Sequence, residues 1–212
     1  MLRPAALRTD TAAALWRVLS TAALVSLFTV FAIAHFQRWH SEGSVRGLGL
    51  VLDQALLAAL FLLRRPARRV SGAPADWLLA LGGTWLVLAL RPAGRPLFGL
   101  DAPYLALQLV ALAGTLLALG VLGRCFGIVA ADRGLKTSGP YALVRHPVYA
   151  TYLVGQIGYL LQNPSAWNLG VILLATACQL GRIHAEERLL RADPAYAAYA
   201  ARVRWRLLPH VY

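Results

Sequence analysis

Between residues 132 and 149 the chain reads Asp-Arg-Gly-Leu-Lys-Thr-Ser-Gly-Pro-Tyr-Ala-Leu-Val-Arg-His-Pro-Val-Tyr, gathering its single lysine, Lys136, with His146, Tyr141 and Tyr149 in one short connector. Ser138-Gly139-Pro140 marks a turn. Pro147 keeps His146 out of helical backbone and can open the next helix as its first residue. Backbone of this kind leaves N–H and C=O groups outside any helix, where a polar ligand can use them; the same composition also suits an amphipathic loop with snorkelling arginines. Downstream, Tyr149, Tyr152, Gln156 and Tyr159 recur at i, i+3, i+7 and i+10, one polar-aromatic stripe on an otherwise apolar helix. Such a stripe serves either a ligand or hydrogen bonds between helices. Arg182 and Glu186 stand one helical turn apart, and the pair Glu186-Glu187 holds two of the chain's three glutamates. A solvated i, i+4 ion pair is the plain reading. Ionisable groups projecting from an apolar hairpin beside a polar connector point instead to a shared site.

The elements that must position these residues follow from composition. Of 212 residues, 58% are hydrophobic and only 14% charged, against roughly 25% charged in an ordinary soluble domain. A globule of this size has too little interior to hide that much apolar surface, and the same figures exclude intrinsic disorder. Apolar runs lie at about Leu15–Phe36, Leu48–Leu63, Asp76–Leu90, Pro103–Leu122, Val148–Gln162 and Ala166–Gly181. A spanning helix needs about 20 residues, which the first and fourth runs supply; the second and third are short. The last two are separated only by Asn163-Pro164-Ser165, a turn, and read as a short helical hairpin that dips into the membrane without fully crossing. The run Leu15–Phe36 is too long for a signal-peptide core and reads as a membrane helix. After Gly181 the chain turns polar but keeps helical spacing. Asp193-Pro194 stops that helix and starts another, with Tyr196, Tyr199 and Val203 on one face. The expected fold is all-α and integral to the membrane, with about five or six membrane helices and a cytoplasmic C-terminal helical cap. It is read as one domain over 1–212, with four membrane helices in 1–122 and the catalytic region in 123–212.

Charge sets the expected orientation. There are 21 Lys+Arg against 9 Asp+Glu, a net charge of +12. The bases sit between apolar runs rather than along an exposed face, so they read as juxtamembrane charge and not as a nucleic-acid footprint. With the N-terminus inside and the runs alternating, 17 of the 21 fall on cytoplasmic segments; only Arg38, Arg46, Arg91 and Arg95 fall outside. Both termini and the site are therefore expected to face the cytoplasm, in a bacterial cytoplasmic membrane. Cys125 and Cys178 show no CxxC spacing, and His184 has no ligand one turn away, so no metal is expected. Gly47-Leu-Gly49 lacks the third glycine of a dinucleotide fingerprint. Asp53, alone in an apolar run, reads as a buried hydrogen-bonding group.

Taken in order, Leu135-Lys-Thr-Ser-Gly-Pro-Tyr141, Arg145-His-Pro-Val-Tyr149, Asn163-Pro164, Arg182-x-x-x-Glu186-Glu187, the Tyr196/Tyr199 spacing and the ending Arg202-Val-x-x-x-Leu-Leu-Pro209 resemble the isoprenylcysteine carboxyl methyltransferase and phospholipid methyltransferase group of integral membrane enzymes. The resemblance covers roughly Gly120 to Pro209. It implies S-adenosylmethionine as cofactor, held by Arg133, Gly134, Leu135, Lys136, Tyr141, His146, Pro147, Val148, Tyr149 and Glu186. Arg182 would face the methyl acceptor and, with Glu186, form the catalytic pair; Tyr152 and Gln156 complete the acceptor side. The expected partner is a lipophilic or lipid-linked small molecule within membrane lipid, its carboxylate, thiol or amine taking the methyl group. Phospholipid N-methylation is the alternative within the group. A nicotinamide-dependent sterol or enone reductase shares a similar C-terminal architecture, but Arg182-x-x-x-Glu186-Glu187 favours methyl transfer. A non-enzymatic transporter or assembly factor would spread its polar residues along several spans.

Overall fold

The computed structural model describes residues 5–43 and 45–212, with only the backbone of residues 5–14, 16, 17, 42, 45 and 46. Arg3 and the side chains of Arg8, Arg17 and Arg46, on which the charge asymmetry draws, lie outside the described residues. The chain is mostly helical, and among the described residues three helices are long and apolar enough to cross a membrane. It divides into two compact units, residues 1–64 and 65–212.

The first unit is a helical hairpin, α1 (Ala5–Glu42) and α2 (Val45–Leu63). Gly43 ends α1 at φ +66°, its N–H donating to Trp39 O at 2.7 Å, the left-handed conformation glycine adopts without a Cβ penalty. Phe28 and Phe61 stack at 5.4 Å among buried Leu57 and Leu60. Arg64 donates to Thr21 Oγ1 at 2.8 Å. Asp53 is buried as expected: Gln54 donates to its Oδ2 at 3.1 Å, while Oδ1 has no hydrogen-bond partner.

The second unit contains α3 (Pro74–Trp85, continued by a 3₁₀ turn to Ala89), α4 (Asp101–Leu122), α5 (Pro147–Gln162), α6 (Ala166–Leu190) and α7 (Pro194–Arg202). The apolar runs read from the sequence coincide with these helices. One departure concerns α6. Its 25 residues run unbroken to Leu190, past Gly181 where the apolar run read from the sequence ends, and are long and apolar enough to cross a membrane. The polar residues of its final turns change which surface the helix meets, not its hydrogen-bond ladder. A second departure is a two-stranded antiparallel ribbon, β1 (Arg69–Val70) with β2 (Ala131–Asp132), in an otherwise helical fold. Strands of two residues carry no periodicity to read.

Small residues set the helix contacts. On α5, a Cβ on Gly158 would lie 3.0 Å from Gln108 Cγ and 3.3 Å from Tyr104 O; on α4, one on Gly114 would lie 2.8 Å from Thr151 Cγ2. On α3, Gly82 and Gly83 lie against Cys178 and Gln179 of α6. Close backbone approach is how helices associate where lipid removes the hydrophobic drive between them. Thus α4 packs along α5 and α3 along α6, while α5 and α6 touch each other much less. The hairpin's arms are held by their outer neighbours, and long side chains bridge the space between them.

The hairpin turn is fixed at the far end. Fully buried Asn168 donates to Asn163 O and Arg91 O, both at 2.8 Å, and accepts from Arg91 N at 3.0 Å. Ser165 caps α6 by accepting from Asn168 N. At the other end Arg188 of α6 grips buried Asp76 at the start of α3 with contacts of 2.9 and 2.8 Å, and Ser71 donates to the same carboxylate.

Candidate functional site

His146 caps α5 with φ −128° and Pro147 stands in the first turn, the local structure that the Arg-His-Pro order dictates. The preceding turn, Gly139–Ala142, is a 3₁₀ helix that buries Tyr141. Tyr141 donates to Ala118 O of α4 at 3.4 Å, and its own carbonyl accepts from Tyr199 of α7 at 2.7 Å. Burial, reinforced by the nearby Glu186 carboxylate, pushes the Tyr141 phenol well above the ordinary tyrosine range, so it stays neutral.

The connector meets the end of α6 through its acidic pair. Tyr149 donates to Glu186 Oε1 at 2.5 Å, and His146 Nδ1 faces Glu186 Oε2 at 3.8 Å. Arg182 Nε approaches Glu186 Oε1 at 3.5 Å, and its guanidinium lies 5.2 Å over the Tyr149 ring. Arg182 is 6% exposed. It donates to Thr84 Oγ1 of α3 at 3.3 Å and to Gly127 O at 3.2 Å, while Nε makes no hydrogen bond. That Nε is held toward the Glu186 carboxylate at ion-pair rather than hydrogen-bond distance, so the buried guanidinium keeps its counter-charge beside it. Arg133 converges on the same strand of backbone, since a Cβ on Gly127 would fall 2.4 Å from its Nη1.

His146, Tyr149, Arg182 and Glu186 are thus drawn into one cluster, with Tyr141 beside it and Arg133 joined through Gly127. Half-buried Tyr152 packs against the apolar group of Tyr149, Ile183 and Leu207. Pro147 and Val148 are buried in the first turn of α5. Gly134 sits at φ +103°, its N–H donating to Asp132 Oδ1 at 3.2 Å. The remaining expected residues lie apart. Leu135 packs into the Tyr196–Tyr199–Val203 group under α7, Lys136 is half-buried, and Gln156 is buried farther along α5 with Oε1 lacking a partner.

Residues 104–192 match the profile of the isoprenylcysteine carboxyl methyltransferase family. Over this stretch the chain is similar to that family. The stretch takes in most of α4 and all of α5 and α6 and contains every residue of the cluster, while Thr84 lies outside it. The chain is also 33% identical over 129 residues to CzcN, a cobalt-zinc-cadmium resistance protein of Cupriavidus metallidurans; the match covers 57% of this chain and 60% of that protein. The apolar helices and the family together make this an integral membrane protein.

Sequence reasoning missed three contributors. Thr84 and Gly127, which hold Arg182 in place, lie before the connector in apolar surroundings that give no hint of a role. Glu187 was visible as half of the acidic pair, yet its separate work is legible only from contacts. It is 3% exposed and accepts from Arg145 Nε at 2.8 Å and from Arg206 Nη2 at 3.0 Å, with His146 Nε2 at 3.3 Å. The two glutamates divide the labour: Glu186 faces the cluster, and Glu187 faces the scaffold.

Proposed function

We propose that the protein is an S-adenosylmethionine-dependent membrane methyltransferase acting on a small lipophilic acceptor. The observation that carries this reading is the buried Arg182–Glu186–Tyr149–His146 cluster at the junction of connector and α6, inside the family-matched segment. The donor set suits a zwitterionic cofactor. Glu186 Oε2 lies beyond hydrogen-bond distance of His146 and is open to ammonium or hydroxyl donors of the cofactor, while the Arg182 guanidinium beside it is left for the acceptor. Tyr149 and Tyr141 add neutral aromatic faces suited to a sulfonium whose charge vanishes during transfer. When bound, S-adenosylmethionine supplies an electrophilic methyl group whose C–S bond breaks with the electron pair returning to sulfur.

The chain's residues then have a positioning task, because an in-line displacement gains most from aligned partners. Arg133, Gly134, Leu135, Lys136, His146, Pro147 and Val148 form the cofactor side with Tyr141, Tyr149 and Glu186. Arg182 orients the acceptor, and Tyr152 and Gln156 line the path along α5. An acceptor carboxylate or thiolate needs no base, whereas an amine must lose a proton before or during attack. The site faces the cytoplasm, from which the polar cofactor enters, and the acceptor arrives sideways from lipid. Both termini share that side.

A labelled-methyl screen of the purified protein against membrane lipids, small thiols and prenylated cysteine analogues tests the reading. Incorporation that disappears in Arg182→Ala and Glu186→Ala supports it. Full labelling by both variants, or none by wild type across all three classes, overturns it.

A further inference from the structure

The segment after α7, residues 203–212, runs back across the connector. Arg145 N donates to Trp205 O and His146 N to Arg206 O, both at 2.9 Å. These are the amides just ahead of α5, at the point where Pro147 ends the option of helical pairing upstream. Leu207 is buried against Tyr149 and Ile183, and Tyr212 packs on the same group. The segment is itself folded tightly, since the carbonyl of Tyr212 accepts from Arg206 N, Leu207 N and Leu208 N.

Glu187 ties this strap down. Its Oε2 accepts from Arg206 Nε at 3.1 Å and Nη2 at 3.0 Å, with Arg191 Nη2 at 3.4 Å; its Oε1 accepts from Arg145 Nε at 2.8 Å. Arg145 in turn donates through Nη1 to Val203 O and Arg204 O, each at 2.8 Å. One buried carboxylate thereby joins α6, the connector and the strap, with the same oxygen that accepts from Arg145 lying 3.3 Å from His146 Nε2. Charge-assisted bonds in a site this dry are short and directional.

We propose that Glu187, Arg145 and Arg206 are positioning residues: they clamp residues 203–212 onto the connector and so set the backbone and ring of His146, and with them the Tyr149 contact to Glu186, for cofactor binding. The proposal rests on the methyltransferase reading for its ligand, but the clamp itself is a statement about the protein alone. None of the three touches the reacting atoms.

The test combines hydrogen exchange with calorimetry on the full chain in nanodiscs, comparing wild type, Arg206→Ala and Arg206→Lys. Arg206→Ala should speed exchange of the Arg145 and His146 amides by about ten-fold or more, leave the α4 amides unchanged, and raise the Kd for S-adenosylmethionine about ten-fold. At saturating cofactor kcat should change less than KM, and Arg206→Lys, which keeps one charged donor, should restore most of both. Unchanged exchange at 145–146, or faster exchange with wild-type cofactor affinity, overturns the proposal. Wild-type protein that binds no S-adenosylmethionine overturns the methyltransferase reading instead, and the exchange comparison then still decides the clamp.

Discussion

Replacing Glu187 with glutamine, beside the same change at Glu186, separates scaffold from site within one dipeptide. Glu187 is 3% exposed and compensates three guanidinium groups directly, Arg145 at 2.8 Å, Arg206 at 3.0 Å and Arg191 at 3.4 Å. Arg145 is itself 8% exposed, so Glu187→Gln leaves a buried cation without its counter-charge. Breaking one partner of a buried pair costs about 3–5 kcal/mol. Arg145 keeps its bonds to Val203 O and Arg204 O, which places the loss near the lower end, about 3 kcal/mol, or roughly 6–12 °C in Tm for a chain of this length. Glu186 has a side chain 21% exposed, and its principal bond is to one neutral phenol. Glu186→Gln also takes away the carboxylate 3.5 Å from buried Arg182, but that contact carries no hydrogen bond, so the cost should be about 1–2 kcal/mol, and the variant loses the carboxylate proposed to hold the cofactor. Thermal unfolding in detergent, paired with calorimetric binding of S-adenosylmethionine, reads both quantities. The expected pattern is a crossed one: Glu187→Gln takes the larger loss of stability, and Glu186→Gln loses binding with the smaller change in Tm. Equal Tm losses for the two variants, or a Glu186→Gln protein that binds normally, would refute the division of roles.

Three further outcomes follow from local geometry. Gly127→Ala should weaken cofactor or acceptor binding with a small change in Tm, because the new methyl falls 2.4 Å from Arg133 Nη1, the movable end of a side chain; calorimetry and a melting curve on one sample check it. Gly94→Ala should lower Tm without altering binding: Gly94 holds φ +74° and a Cβ there would sit 2.9 Å from the rigid carbonyl of Pro164, at a cost of about 1–3 kcal/mol. Stability should also fall in alkali. Burial pushes the Tyr199 phenol up to about 12, against about 10 in an unfolded chain, so its stabilising contribution is complete below pH 10 and is lost as pH rises through 12. Tyrosinate absorbance followed against pH, with Tyr199→Phe as the control, should show that shift.

The sequence was most informative where a single residue type leaves few choices. Asp193 caps α7 through Oδ1, accepting from Ala195 N at 2.9 Å, and Pro194 follows it, as the order of the two residues requires. Pro147 fixed the start of α5 in the same way. Tyr196 and Tyr199 share a buried face because three residues separate them on a helix. Two kinds of feature were hidden. The β1–β2 ribbon depends on Arg69 meeting Asp132 across more than sixty residues, a pairing with no local pattern. The environment of Arg182 depends on Thr84 and Gly127, which come from different elements and differ in nothing but position from other small residues in apolar surroundings.

The acidic pair shows why spacing alone could place the cluster but not apportion it. Consecutive residues on a helix point about 100° apart, so two glutamates in a row cannot serve one ligand equally. Which of them faces the cluster is decided by the rotation of α6, and that rotation is set elsewhere. Gly82 and Gly83 seat α3 against Cys178 and Gln179, Arg188 locks onto Asp76, and Asn168 fixes the opposite end. With α6 held at three levels, Glu186 is turned toward Tyr149 and Glu187 toward Arg145 and Arg206. Loosening any of those anchors should disturb the cluster before it unfolds the chain, because α5 and α6 themselves share so little direct packing.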